Sequence, residues 1–266
     1  MKYFLDTEFV EGLQERPLML RSRLGHWMIG KPKPTIDLMS IGIVAEDGRE
    51  YYAISKDFNL KEAWNRFQME PDIYNGGMKK VYWLRENVLY PIFWHLYQWS
   101  YPAKSEEEYG NLGNFSGWME RKGTGMKEFK KLLQEYGKTN KEIASEIRDF
   151  VYLENRDFGG QMVLGKFIPN KYPEPEFYAY YADYDWVVLC WLFGKMMDLP
   201  KGFPMYCKDL KQIFDQKEDW LRIPTAKNHM DLKQHTHYPK QDPSKSHNAI
   251  EDARWNKALY EFLKQL

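Results

Sequence analysis

Hydrophobic periodicity changes along this chain in an order that few folds accommodate. Near the N-terminus the apolar runs are short and strand-like: Tyr3 to Leu5, then Asp37 to Ala45, then Glu50 to Ile54 behind the turn dipeptide Asp47-Gly48. Much later the period lengthens. Ile143, Ile147, Phe150 and Val151 recur at i, i+4, i+7 and i+8, which predicts an amphipathic helix over 140–153, with Thr139 and Glu142 at capping-box spacing. Glu176 to Tyr181 reads as another strand and 184–197 as a helix. Ala258, Leu259, Phe262, Leu263 and Leu266 mark the apolar face of a helix that begins near Asn248. Strands, then a helix, a strand and further helices predict an α/β fold with a mixed sheet.

The segments between are less regular. Glu11 to Thr35 is polar and basic, and Pro32 and Pro34 argue against regular structure at its end. Helical patterns run through parts of 60–67 and 79–97 and return at 126–136, whereas 100–124 and 154–175 read as loop. The aromatic-rich stretch Val81 to Tyr101 suits accessory core or a subunit contact, of the kind a homodimer would use, more than a platform for bases.

Charge and cysteine content exclude some functions. Lys and Arg number 38 and Asp and Glu 38, so the chain does not coat nucleic acid by bulk electrostatics, although a local basic groove is compatible with that balance. Cys190 and Cys207 form no disulfide framework and lack zinc-site spacing, so both are expected as reduced thiols. The most membrane-like run, Val88 to Trp99, is far short of the roughly 20 apolar residues a spanning helix needs. Asp6 arrives too early for a secretory leader, and a cytoplasmic protein is expected.

Three places carry candidate chemistry. On a strand Asp6 and Glu8 project from one face, and adjacent carboxylates repel unless a cation lies between them; an oxygen-rich pair suits Mg2+ or Mn2+. In Tyr180-Tyr181-Ala182-Asp183-Tyr184-Asp185 a strand gives way to a helix. Asp183 fits the N-cap, and Asp185, in the first turn at the carboxyl end of the strand, is the candidate for chemistry. In Ser246-His247-Asn248-Ala249-Ile250-Glu251-Asp252, Asn248 and Glu251 have capping-box spacing, which leaves His247 just outside the last helix and Asp252 on its first full turn. His235-x-His237 has no carboxylate or cysteine at ligand spacing and reads as structural.

Taken in order, Asp6-x-Glu8, Asp185 at a strand–helix junction, and His247 with Asp252 five residues later resemble the exonuclease motifs of the DEDDh superfamily of 3'→5' exonucleases, a DnaQ-like group. The likeness is closest to small bacterial 3'→5' exoribonucleases of the mycobacterial type. It runs through Tyr3 to Phe9, Ile41 to Ala53, Tyr184 to Cys190 and Ala249 to Arg254, and covers half to two-thirds of the chain.

The resemblance implies a ribonuclease H-like fold, a mixed five-stranded sheet flanked by helices, forming a single exonuclease domain over 1–266 with insertions at about 11–35 and 60–138. It also implies hydrolysis of the terminal phosphodiester of RNA, single-stranded or with a 3' overhang, to nucleoside 5'-monophosphates. Asp6, Glu8, Asp185 and Asp252 would hold two divalent cations, Mg2+ or Mn2+, and His247 would act as general base. Clustered carboxylates would raise the His247 pKa and bound metals would oppose the rise, a balance that sequence leaves open. Thr7 and Phe9, beside the first motif, are expected to touch substrate, with core packing the alternative for Phe9. Leu221 to His247 carries Arg222, Lys227, Lys233, Lys240 and Lys245 and suits either a substrate groove or a solvated loop. Three rival readings stay open: a non-catalytic nucleic-acid-binding module, a small-molecule phosphoesterase, and the same chemistry directed at DNA.

Overall fold

The computed structural model describes residues 1–14, 18–22, 25–29, 33–100, 125–152, 160–163, 166–169, 174–221, 231–243 and 245–266. In chain order the strands are β1 (Lys2–Gln14), β2 (Leu18–Ser22), β3 (Gly25–Ile29), β4 (Lys33–Ala45), β5 (Glu50–Ile54), β6 (Gln68–Pro71), β7 (Met78–Val81), β8 (Gly160–Val163), β9 (Lys166–Pro169), β10 (Glu176–Ala179) and β11 (Lys208–Asp209). The α-helices are α1 (Leu60–Asn65), α2 (Tyr90–Ser100), α3 (Gly125–Tyr136), α4 (Asn140–Tyr152), α5 (Asp183–Phe193), α6 (Leu210–Leu221) and α7 (Ala249–Gln265). They fall into two compact units. One comprises Met1–Glu8, Ser40–Lys56 and Gly137–Leu266, the other Phe9–Met39 and Asp57–Tyr136.

The first unit is built on a five-stranded sheet of order β11-β10-β1-β4-β5. β10 is parallel to both β1 and β11, and β5 is antiparallel to β4, so the sheet is mixed, as the ribonuclease H-like expectation requires. Alternation along β1 sorts its side chains onto two faces. Phe4 joins Tyr178, Leu210, Phe214, Leu259, Phe262 and Leu263 in a core beneath α6 and α7. Tyr3 goes the other way, stacks on Phe177 at 5.4 Å and donates its hydroxyl to the Val151 carbonyl of α4 at 3.1 Å. Both rings are completely buried, and burying one such side chain contributes about 1.5–3 kcal/mol. Thr139 and Glu142 bond each other's side chains and backbone at the start of α4, the capping box expected there.

Helix α7 is fastened to the sheet at several points. The Asn256 amide donates to the Leu5 carbonyl at 2.9 Å, and Lys257 Nζ donates to the carbonyls of Ala45 and Glu46 at 3.0 and 3.1 Å. At Gly42 the helix lies directly on β4. A Cβ there would sit 2.3 Å from the Ala249 carbonyl oxygen and 2.5 Å from Ile250 Cα, closer than any side chain could fit.

The second unit holds the β2–β3 and β6–β7 hairpins, α1, and a π-helical turn at Arg85–Leu89 that leads into α2. α2 packs against α3 through Phe93 on Phe129, with ring centroids 5.7 Å apart, and Val88, Leu89, Ile92 and Leu96 are buried. The aromatic-rich stretch therefore gives Phe93 to the core of this unit, while Trp83 and Trp99 are exposed. Among the described residues no helix is long and apolar enough to cross a membrane.

Several local expectations are corrected. Pro34 does not prevent β4 from starting at Lys33, since proline is tolerated at a strand's beginning. Residues 78–81 are strand rather than helix, because they pair with β6. The loop read over 154–175 contains the β8–β9 hairpin. α5 stops at Phe193, where Gly194 takes φ 116. Its N-cap position is Ala182, not Asp183, and Asp209 Oδ2 accepts the Ala182 N–H at 3.2 Å. The loop expected over 100–124 lies, beyond Ser100, outside the described residues, as do Arg222 and Lys227.

Candidate active site

Asp6 and Glu8 follow Phe4 at the strand period of two, so they share the face covered by α7. α7 contributes Asp252 to the same place. Carboxylate oxygens of Asp6, Glu8 and Asp252 all lie within 4.8 Å of one another. Asp185 approaches from the first turn of α5 and is 6% exposed. Its Oδ1 accepts the Thr7 N–H at 2.9 Å and the Thr7 hydroxyl at 2.5 Å. Asp185 lies outside the tight trio but close enough for its charge to act on Asp6 and Glu8.

The electrostatics follow from that crowding. Burial holds the Asp6 carboxyl well above its ordinary range, and the charges of Asp185, Glu8 and Asp252 push it further. Glu8 is raised in the same way, by burial and then by Asp252 and Asp185. Burial pushes Asp185 up to about 7 despite the opposing pull of its two Thr7 bonds. Asp252 is pushed up to about 6, again by burial, against the bonds from Gln241 and from the backbone N–H groups of His247 and Asn248. Among the described residues, the charges that act on Asp6 and Glu8 are those of neighbouring carboxylates. A divalent metal ion fits such a set: the donors are all carboxylate oxygens, and a cation would compensate carboxylates that burial, and at Asp6 and Glu8 their neighbours' charges, hold above their ordinary range.

His247 sits immediately before α7 and carries φ 60, in the left-handed region. Burial lowers the pKa of its half-buried imidazole from the ordinary 6.5. The expected capping box at this helix is absent. Asn248 occupies the N-cap position without a side-chain cap bond, and Glu251 pairs instead with Arg254 at 2.5 Å. Asp252 takes over by accepting the backbone N–H groups of His247 and Asn248, which fixes its carboxylate.

Thr7, expected as a substrate contact, is buried, with both polar groups spent on Asp185. Phe9 continues β1, is half-buried and falls in the second unit. His235 and His237 engage each other, the His237 N–H donating to His235 Nδ1 at 3.2 Å. Cys190 and Cys207 are free thiols, both raised by burial.

Three residues were missed at the sequence level. Gln241 donates its side-chain amide to Asp252 Oδ1 from the loop before α7, and nothing in the polar composition of that loop marks it. Asn256 and Gly42 did leave signals. Asn256 is a polar residue one turn after Asp252 on an otherwise apolar face, and Gly42 interrupts a strand pattern where a glycine marks close backbone approach.

No family model matches the chain. Two curated proteins are similar to it, each 25% identical over 217 residues that span 82% of this chain and 76% of the relative. They are the 3'-5' exoribonuclease MT2234.1 of Mycobacterium tuberculosis strain CDC 1551 / Oshkosh and the 3'-5' exoribonuclease Rv2179c of strain ATCC 25618 / H37Rv. At that identity the relationship to exoribonucleases is a distant one.

Proposed function

We propose that this chain is a metal-dependent 3'→5' exoribonuclease of the DEDDh kind, which hydrolyses the terminal phosphodiester of RNA and releases nucleoside 5'-monophosphates. The observation that carries this reading is the convergence of Asp6, Glu8 and Asp252 within 4.8 Å, with the Asp185 charge beside them. The distant likeness to named 3'-5' exoribonucleases supports RNA as the substrate.

Asp6, Glu8, Asp185 and Asp252 would hold two divalent cations, Mg2+ or Mn2+, which when bound lower the pKa of a water and offset charge on the reacting phosphate. The chain's own groups do the rest. The Thr7 N–H and hydroxyl fix Asp185 Oδ1, so this carboxylate keeps one orientation through turnover. Backbone N–H groups of His247 and Asn248 do the same for Asp252. His247 takes the proton of the attacking water at an imidazole nitrogen. Burial lowers its pKa, which favours the neutral imidazole that a base requires.

The test uses 5'-labelled single-stranded RNA and matched DNA with Mg2+ or Mn2+, beside an Asp6→Ala variant and an EDTA control. RNA should shorten from its 3' end, and both controls should abolish the shortening. Equal shortening of DNA would remove the preference for ribose. No shortening of either polymer by folded, metal-supplied protein would overturn the reading in favour of a binding module or a small-molecule phosphoesterase.

A further inference from the structure

Among the described residues two that are not glycine take a positive φ: His247 at 60 and Tyr181 at 58. Any residue with a Cβ is strained there, and a tyrosine more than the Asn, Asp or Gly that usually fill such positions. Strain of this kind persists where function requires it. His247 has a role in the reaction proposed above. Tyr181 has none, and core packing does not account for it, because the residue is 63% exposed.

Its location is informative. Parallel pairing sets Phe4 opposite Tyr178, so Asp6 and Tyr180 each lie two residues beyond that pair and on the same face as Phe4 and Tyr178. Tyr180 packs edge-on against Trp255, with centroids 5.1 Å apart and planes at 79°. Trp255 is three residues past Asp252, the next turn of α7. Tyr181 in turn meets Tyr180 edge-on, at 4.8 Å and 72°. A file of three rings thus runs from the helix that carries Asp252 out to solvent. It ends on the exposed ring of Tyr181, four residues before Asp185.

We infer that Tyr181 is a stacking platform for a nucleobase near the 3' end of a single-stranded substrate, at the rim of the carboxylate pocket; this rests on the nuclease reading. The left-handed backbone turns the ring out of the strand path, and Tyr180 and Trp255 brace it from behind. Stacking suits an enzyme that removes nucleotides in succession, because every base offers a π face and none is selected by hydrogen bonding.

The experiment compares wild type, Tyr181→Gly and Tyr181→Phe on intact RNA and on RNA lacking the base at the last or the penultimate position. Glycine relaxes the backbone, so Tyr181→Gly should melt no lower than wild type. Its KM for intact RNA should nonetheless rise by roughly 5- to 150-fold, the usual weight of one base stack, while Tyr181→Phe stays close to wild type. On one of the two abasic substrates wild type and Tyr181→Gly should become equal, a coupling that a merely structural tyrosine would not produce. A Tyr181→Gly enzyme with wild-type KM on intact RNA, or one with the same loss on both abasic substrates, overturns the inference. Failure of the nuclease reading is seen separately, as wild-type protein that leaves RNA intact.

Discussion

Glu46, Glu50 and Glu176 belong to the same unit as Asp6 and Glu8, yet their surroundings push the two sets in opposite directions. Each rim glutamate has a cationic partner: Lys2 holds Glu46 at 2.5 Å, Arg254 holds Glu50 at 2.5 Å, and Lys208 holds Glu176. All three are lowered, chiefly by those bonds. The pocket acids are raised, chiefly by burial, and face one another. Rim pairs are complete within the protein and, being exposed, contribute about 0–1 kcal/mol each. The pocket acids thus resist ionisation, whereas the rim acids are held ionised by their partners.

That contrast can be tested at decreasing scale. After the complete loss expected of Asp6→Ala, the largest effect belongs to His247→Ala, with a kcat loss of about 10²–10⁴-fold and nearly unchanged RNA binding. A variant with near wild-type kcat would remove His247 from the role of base. Next comes the response to metal. Mg2+ at about 100-fold over its Kd should stabilise the folded chain by about 2.7 kcal/mol and raise Tm by several degrees, a gain that Asp6→Ala should lose.

Without metal the sign of the pH response is fixed. The pocket carboxyls are raised above the ordinary 3.8 and 4.5, so the folded chain keeps protons that the unfolded chain has released. Their contribution to stability is fully present below about 3.8 and is lost as pH rises towards about 7, the value for Asp185. Denaturant titrations in EDTA at pH 5 and pH 8 should therefore show lower stability at pH 8, and saturating Mg2+ should narrow the gap. Equal stability in EDTA would mean that the pocket acids are already compensated.

Smaller again is Gly42→Ala. Its Cβ must displace the first turn of α7, at a cost of about 1–3 kcal/mol and with reduced turnover, because Asp252 moves with the helix. The smallest effect belongs to the rim. Glu50→Gln should change stability by no more than about 1 kcal/mol and leave turnover and metal response unaltered. A rim substitution that abolished the metal response would dissolve the distinction between the two sets.

Much of this was legible because it is periodic. Phe4, Asp6 and Glu8 alternate as any strand does, and the order of strand and helix patterns gave the mixed sheet. Asp252 could be placed on the first turn of a helix whose apolar face was plain. What sequence concealed depends on partners far along the chain. Thr7 reads as a substrate contact until Asp185 arrives from 178 positions away and takes its N–H and hydroxyl. Gln241 lies in a loop whose polarity carries no period, and the β8–β9 hairpin hides among glycines and prolines that read as breakers. The capping box expected at Asn248 and Glu251 had the correct spacing, but Arg254 and Lys245 offered Glu251 a better charge partner than a backbone N–H.

The bond from Asn256 to the Leu5 carbonyl joins residues 251 positions apart. On the ribosome that separation becomes a delay. At about 5–20 residues per second, Asp6 and Glu8 emerge roughly 10–50 s before the helix that brings Asp252 to them. For that interval a nascent chain carries Asp6 and Glu8 without Asp252. The acidic cluster is therefore completed only once the last helix has emerged and packed on the sheet.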